Sequence, residues 1–90
     1  MKIDIFLNDY YELLKLMYDN EVIILNERII PLTQIQIANS LRYSKMKVNA
    51  MFSVLQKEGY VAQKGRGKYI ITEAARIVVE KMQAVEAWEG

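Results

Sequence analysis

The sequence predicts a mostly helical α+β fold with two short antiparallel hairpins set between the helices. Three observations lead to it. Apolar residues recur at spacings of three and four through residues 4–18, 33–58 and 72–89, the period of helices with one buried face. Short β-branched and aromatic runs at 22–30 and 60–71 are broken by polar or glycine-rich residues, as hairpin strands are. Asp, Thr or Ser stands where each helical pattern begins, able to cap the unpaired N–H groups of a first turn.

In the first helix Ile5, Phe6, Leu7, Tyr10, Leu13, Leu14 and Met17 form one stripe, with Asp9, Glu12 and Lys15 opposite. Asp4 is its expected N-cap and Asp19-Asn20 its stop. Val22, Ile23, Ile24 and Leu25, then Ile29 and Ile30, flank Asn26-Glu27-Arg28. A hairpin fits that pattern, with a single strand after a loop as the competing reading. Pro31 ends the second run because it has no N–H to donate.

Thr33 opens the next helix, and Gln36 three residues on completes a capping box. Ile35 or Ile37, with Ala38 and Leu41, makes its inner face. Ser44 caps a helix from Lys45 to Glu58, where Val48, Phe52 and Leu55 repeat at four and three beside Met51 and Val54. Gly59 follows, where a helix C-cap needs a left-handed backbone. Strand-like runs at 60–63 and 69–71 surround Lys64-Gly65-Arg66-Gly67-Lys68, whose glycines permit the positive φ of a tight turn. Thr72 caps the last helix, Glu73 suits its dipole, and Ile77, Val78, Met82, Val85 and Trp88 are its apolar positions. Residues 1–90 therefore read as one domain: a helix pair at 33–58, a hairpin at 60–71 and a last helix at 72–89.

Composition narrows the chemistry. The chain has no Cys and no His. That excludes disulfides, thiolate zinc sites and thiol catalysis, along with the commonest general base. Asp9 and Glu12, like Glu86 and Glu89, lie one turn apart as solvated surface charges do, so no enzyme, metal or cofactor is expected. No apolar stretch approaches the ~18 residues of a membrane span. With Asp4 and Asp9 in its first ten residues the N-terminus does not read as a signal peptide, and a cytoplasmic protein is the expectation.

Charge is polarised along the chain. Residues 42–68 carry seven basic side chains against one acidic, a net +6. Residues 1–30 hold three against six, and 69–90 two against four, giving −3 and −2. No acidic residue occurs between Glu27 and Glu58. A solvated face ordinarily mixes both signs, so this segment points to an anionic polymer.

Within it, residues 33–48 read as two helices crossing over a short turn, where a small residue such as Ala38 is needed at the close approach. A capped pair packed for stability alone is the competing account. With Val48, Phe52 and Leu55 inward, the second helix presents Ser44, Lys45, Lys47, Asn49, Ala50 and Ser53. Lys can donate to guanine or phosphate, Asn can pair with adenine, and Ala can touch a thymine methyl. Lys64, Arg66 and Lys68 alternate with glycines, letting the backbone approach a phosphate chain or minor groove. A solvated hairpin tip would look similar. Gly65-Arg66-Gly67-Lys68 lacks the spacing of a nucleotide phosphate loop, and a strand follows it.

These positions resemble the winged helix-turn-helix superfamily, with regulators of the MarR, PadR and ArsR types nearest. The matching residues are Thr33-Gln34, Ala38, Leu41, Ser44, Val48, Phe52, Leu55, Gly59-Tyr60-Val61 and Ile71-Thr72-Glu73-Ala74. The resemblance implies a three-helix core, a small antiparallel β-wing and a C-terminal helix. It also implies major-groove reading by Ser44, Lys45, Lys47, Asn49, Ala50 and Ser53, and backbone or minor-groove contact by Lys64, Arg66 and Lys68. The long segment 22–32 looks somewhat like the winged-helix modules of replication-initiation proteins. Longer helical extensions that house effector pockets in larger relatives are absent from the sequence.

Val78, Met82, Val85 and Trp88 continue beyond what a small winged core needs to cover it. Pairing of this helix with the first helix of a second copy would make a homodimer carrying two recognition helices. The alternative is that it folds back over its own first helix. The expectation is a dimeric, double-stranded-DNA-binding transcriptional repressor. A replication or plasmid-maintenance module, and a protein-interaction winged helix that does not touch DNA, are the other readings.

Overall fold

The computed structural model describes residues 9–65 and 68–89. The expected Asp4 cap, the Ile5, Phe6 and Leu7 part of the first stripe, and Arg66 lie outside the described residues. Helix α1 (Asp9–Asp19) buries Tyr11, Leu13, Leu14 and Met17. It stops at Asn20, whose backbone N–H and side-chain amide both turn back to the Leu16 carbonyl, at 3.2 and 2.8 Å.

Strands β1 (Val22–Ile24) and β2 (Glu27–Ile29) pair as the hairpin that the sequence predicts. The turn differs in place. It is Leu25-Asn26, with φ of 52° and 67°, rather than Asn26-Glu27-Arg28. Two successive left-handed residues make the tight turn that matches strand twist, and Asn adopts that conformation readily. Leu does not, and its side chain, 93% exposed, gains nothing from burial to offset the strain.

Helix α2 (Gln34–Leu41) starts with the complete Thr33–Gln36 capping box. Ile37 is its buried isoleucine, with Ala38, while Ile35 is exposed. Arg42, at φ 61°, ends the helix in a left-handed cap. The backbone N–H of Tyr43 donates to the Ala38 carbonyl, which fixes the turn between helices. Helix α3 (Lys45–Lys57) is capped by Ser44 and buries Val48, Met51, Phe52 and Leu55. At its end Gly59 has φ 83°, Gly59 N–H donates to the Gln56 carbonyl, and Tyr60 N–H donates to that of Leu55. Those paired bonds satisfy the last carbonyls and need the left-handed glycine.

Strands β3 (Val61–Gly65) and β4 (Lys68–Ile71) form the wing, slightly longer than the sequence implies, with a bulge between Gln63 and Gly65. The two hairpins meet where Ile30 N–H donates to the Tyr69 carbonyl, setting β2 beside β4. Thr72 locks the wing to the last helix: its hydroxyl donates to the Gly59 carbonyl at 2.6 Å and accepts from Ala75 N–H at 3.3 Å.

Helix α4 (Glu73–Glu89) folds back over α1. Ala75 and Val79 are its fully buried positions, not the Ile77 expected from the sequence, which is exposed. Val78 and Met82 pack at the edge of the core. Tyr11 donates to Glu86, Tyr18 donates to Glu80 at 2.8 Å, and Arg76 reaches Glu21 at 2.8 Å. A helix pair, a wing behind it and two flanking helices make up the winged helix-turn-helix architecture.

Candidate nucleic-acid interface

Burial of Val48, Met51, Phe52 and Leu55 fixes the rotation of α3. Ser44, Lys45, Lys47, Asn49, Ala50 and Ser53 are all exposed as a consequence. The structure adds Met46, 83% exposed in the first turn. A flexible thioether with no core to join suits contact with thymine methyls or sugar edges.

These side chains are not equally free. Ser44 Oγ accepts from Lys47 N–H at 3.0 Å, so its hydroxyl hydrogen can still point outward. Ser53 donates to the Asn49 carbonyl at 3.2 Å. Lys47 is engaged: its Nζ lies 2.5 Å from Asp9 Oδ2 and 3.9 Å from the centre of the Tyr43 ring. Tyr43 Oη donates to Asp9 Oδ1 at 2.9 Å. The bond from Lys47, then that from Tyr43, holds the Asp9 carboxyl below its usual range. Burial, then the bond to Asp9, pushes the Tyr43 phenol up to about 12.

The wing is held against the helices by Tyr69. Its ring meets Phe52 edge-on at 4.7 Å, and its hydroxyl accepts from Gln34 Nε2 at 3.0 Å. A groove of about 240 Å³ lined by Thr33, Gln34, Ile35, Lys45 and Tyr69 runs between the start of α2 and the wing. Lys45 therefore shares a face with the positive end of the α2 dipole.

Lys64 and Lys68 do not face that groove. They line another of about 500 Å³, together with Glu27, Arg28 and Ile29 of β2 and Ile24-Leu25 at the hairpin turn, so one carboxylate sits among the three cations. Neither they nor Arg28 has an ion pair among the described residues. Arg28 is a functional candidate that the sequence reading missed, because β2 and the wing are far apart in the chain. The isolated Ile30–Tyr69 bridge is what brings them together. Arg66, expected from the sequence to join them, lies outside the described residues.

The expected dimer residues divide in two. Val78 and Met82 are half-buried against the chain's own core, as the fold-back arrangement requires. Val85 and Trp88 stay exposed, Trp88 at 88%, with exposed Ile77 about two turns before Val85. Among the described residues no helix is long and apolar enough to cross a membrane.

Comparison with known proteins agrees with the geometry. Residues 11–79 match the Crp-like helix-turn-helix domain. The reduced (FeII) CO-sensing protein from R. rubrum is similar to this chain in structure, with a TM-score of 0.65 and 25% identity. The likeness covers 80% of this chain and 36% of that protein, so the chain spans about a third of that relative's length. No curated protein matches in sequence.

Proposed function

The chain belongs to the Crp-like helix-turn-helix domain family, and from that membership we propose that it binds duplex DNA as a transcriptional regulator. One observation carries the reading: a helix in recognition position exposes Lys45, Met46, Asn49, Ala50 and Ser53 with no carboxylate among them. Lys45 and Asn49 donate to base edges, Ala50 and Met46 supply apolar contact, and Ser44 anchors the helix end on phosphate. Lys64, Lys68 and Arg28 follow the sugar–phosphate backbone beside the major groove, and Arg66 is assigned to the same contact from its place in the sequence. Lys47 contributes less than its place in the sequence suggests, because it is already paired.

The simplest regulatory outcome is repression by occlusion of a promoter, in the cytoplasm. Dimerisation through α4 rests on Val85 and Trp88, the part of the stripe that the chain's own core does not use. A two-fold pair on that stripe would present two recognition helices to half-sites about one DNA turn apart. Replication-origin binding uses the same surface and differs only in the sequence selected.

A protein-interaction role is favoured by a different observation, the exposed Ile23, Ile24 and Leu25 of the first hairpin. Fluorescence anisotropy of labelled mixed-sequence duplex across a salt series separates it from DNA binding. The expected result is micromolar or tighter binding whose log–log salt slope is several units, since each neutralised phosphate contributes about 0.9. Selection from a random pool then returns a site, and Asn49→Ala relaxes one base position in it. Absence of binding near physiological salt, both to mixed sequence and to the selected pool, transfers the basic wing to an acidic protein partner.

A further inference from the structure

Lys47 differs from the other cations of this face. Its ammonium is shared between a carboxylate and an aromatic ring, and the phenol of that ring holds the carboxylate from the other side. The three residues come from three places: the first described residue of α1, the turn before α3, and the first turn of α3 itself. Lys45, Lys57, Lys64, Lys68, Arg28 and Arg42 have no ion pair among the described residues. Asp9 is thus a negative charge placed at the rim of a positive face, and it cancels one cation there.

We propose that Asp9 withholds Lys47 from the DNA backbone, so that a bound duplex lacks that contact as long as the Asp9–Lys47 pair holds. The inference rests on the DNA-binding reading. Geometry supports it in two ways. The side chains of Lys47 and Asp9 are 42% and 45% exposed, so water and phosphate reach the pair and can compete for the ammonium. The Tyr43 hydroxyl fixes Asp9 at the position that captures Lys47, while the ring lies under the ammonium. Asp9 is in this sense a positioning residue for Lys47, and the strength of DNA binding is set partly from α1.

The test is the anisotropy salt series on the parent protein, Asp9→Asn, Lys47→Gln and the double variant. Asp9→Asn is expected to bind mixed-sequence duplex several-fold more tightly, with a salt slope steeper by about 0.9. The gain then shrinks roughly threefold between 50 and 200 mM salt, and Lys47→Gln abolishes it. Tyr43→Phe, which removes only the hydroxyl that anchors Asp9, shifts affinity the same way by less. Weaker or unchanged binding by Asp9→Asn overturns the inference and makes Asp9 a support for α3. A gain that persists in the double variant also overturns it, because removal of any nearby negative charge would then suffice. If the parent itself fails to bind, both this inference and the function it rests on fall together. If the parent binds and the variants do not respond, this inference alone falls.

Discussion

The two sides of this domain handle charge in opposite ways. On the α1–α4 side each described acid at the helix interface has a partner: Glu86 takes Tyr11 and Lys15, Glu80 takes Tyr18, and Glu21 and Glu73 flank Arg76. On the α3–wing side Lys47 is paired with Asp9 and Glu27 lies in the groove of Arg28, Lys64 and Lys68, but Lys45, Lys57, Lys64, Lys68, Arg28 and Arg42 have no ion pair among the described residues, an excess of one sign. Charges that are already matched hold a fold together. Charges of one sign left together repel one another, and an anionic partner relieves that repulsion. The comparison separates structural from functional charge without reference to any relative.

Glu21 offers the largest way to break the comparison. With side chains only 14% and 10% exposed, Arg76 and Glu21 form the most sheltered ion pair among the described residues, and Arg76 Nε has no hydrogen bond of its own there. Glu21→Gln leaves the guanidinium half-matched in a site poor in water. The expected loss is about 3 kcal/mol, the lower end of the range for breaking a buried pair because both groups keep some water contact. Chemical denaturation measures it. A loss under about 0.5 kcal/mol, the level of an ordinary surface substitution, would mean that this side is no more built on its charges than the other.

The opposite side calls for the opposite result. Replacing Arg28, Lys64 and Lys68 together by Gln is expected to leave stability within about 0.5 kcal/mol per position. The same variant loses up to about 2.7 units of DNA salt slope if all three meet phosphate, at about 0.9 for each contact. Arg28→Gln alone sharpens the point. A slope change from that single substitution places the first hairpin in the interface; an unchanged slope confines the interface to the wing and α3.

How far the sequence shows this arrangement depends on the distance over which each feature is decided. Thr33, Ser44, Gly59 and Thr72 cap where expected because a cap is settled within three or four residues, and the apolar spacing around Phe52 fixes which side of α3 looks outward. The winged architecture follows from that local grammar. Leu25 was not legible as a turn residue, because nothing in a leucine favours positive φ; the pairing of β1 with β2 imposes it. Ala75 reads as neutral in sequence and becomes core only when α4 lies on α1. Lys47 looked like a reader of bases because helical spacing alone exposes it. Its partner Asp9 belongs to a helix that only tertiary packing brings near.

The smallest effect compares one tyrosine from each side. Tyr11 donates to Glu86 and Tyr43 to Asp9, and both phenols are raised above the ordinary 10.0, first by burial and then by the acceptor carboxylate. The neutral phenol of Tyr43 therefore contributes stability that is complete below pH 10.0 and is lost as pH rises through about 12. Asp9→Asn removes the carboxylate charge and leaves the burial, so the Tyr43 transition in an ultraviolet absorbance titration should fall only part of the way back. Tyr11, whose acceptor is on α4, should not move. If Tyr43 fell fully to its ordinary value, burial would not be its main cause, and the ring would be less enclosed than its packing against the core implies. If both tyrosines moved together, the two sides would be coupled through α1, which carries Asp9 at its start and Tyr11 two residues later. The division of this domain into a matched side and an unmatched side would then be a property of one helix rather than of two independent surfaces.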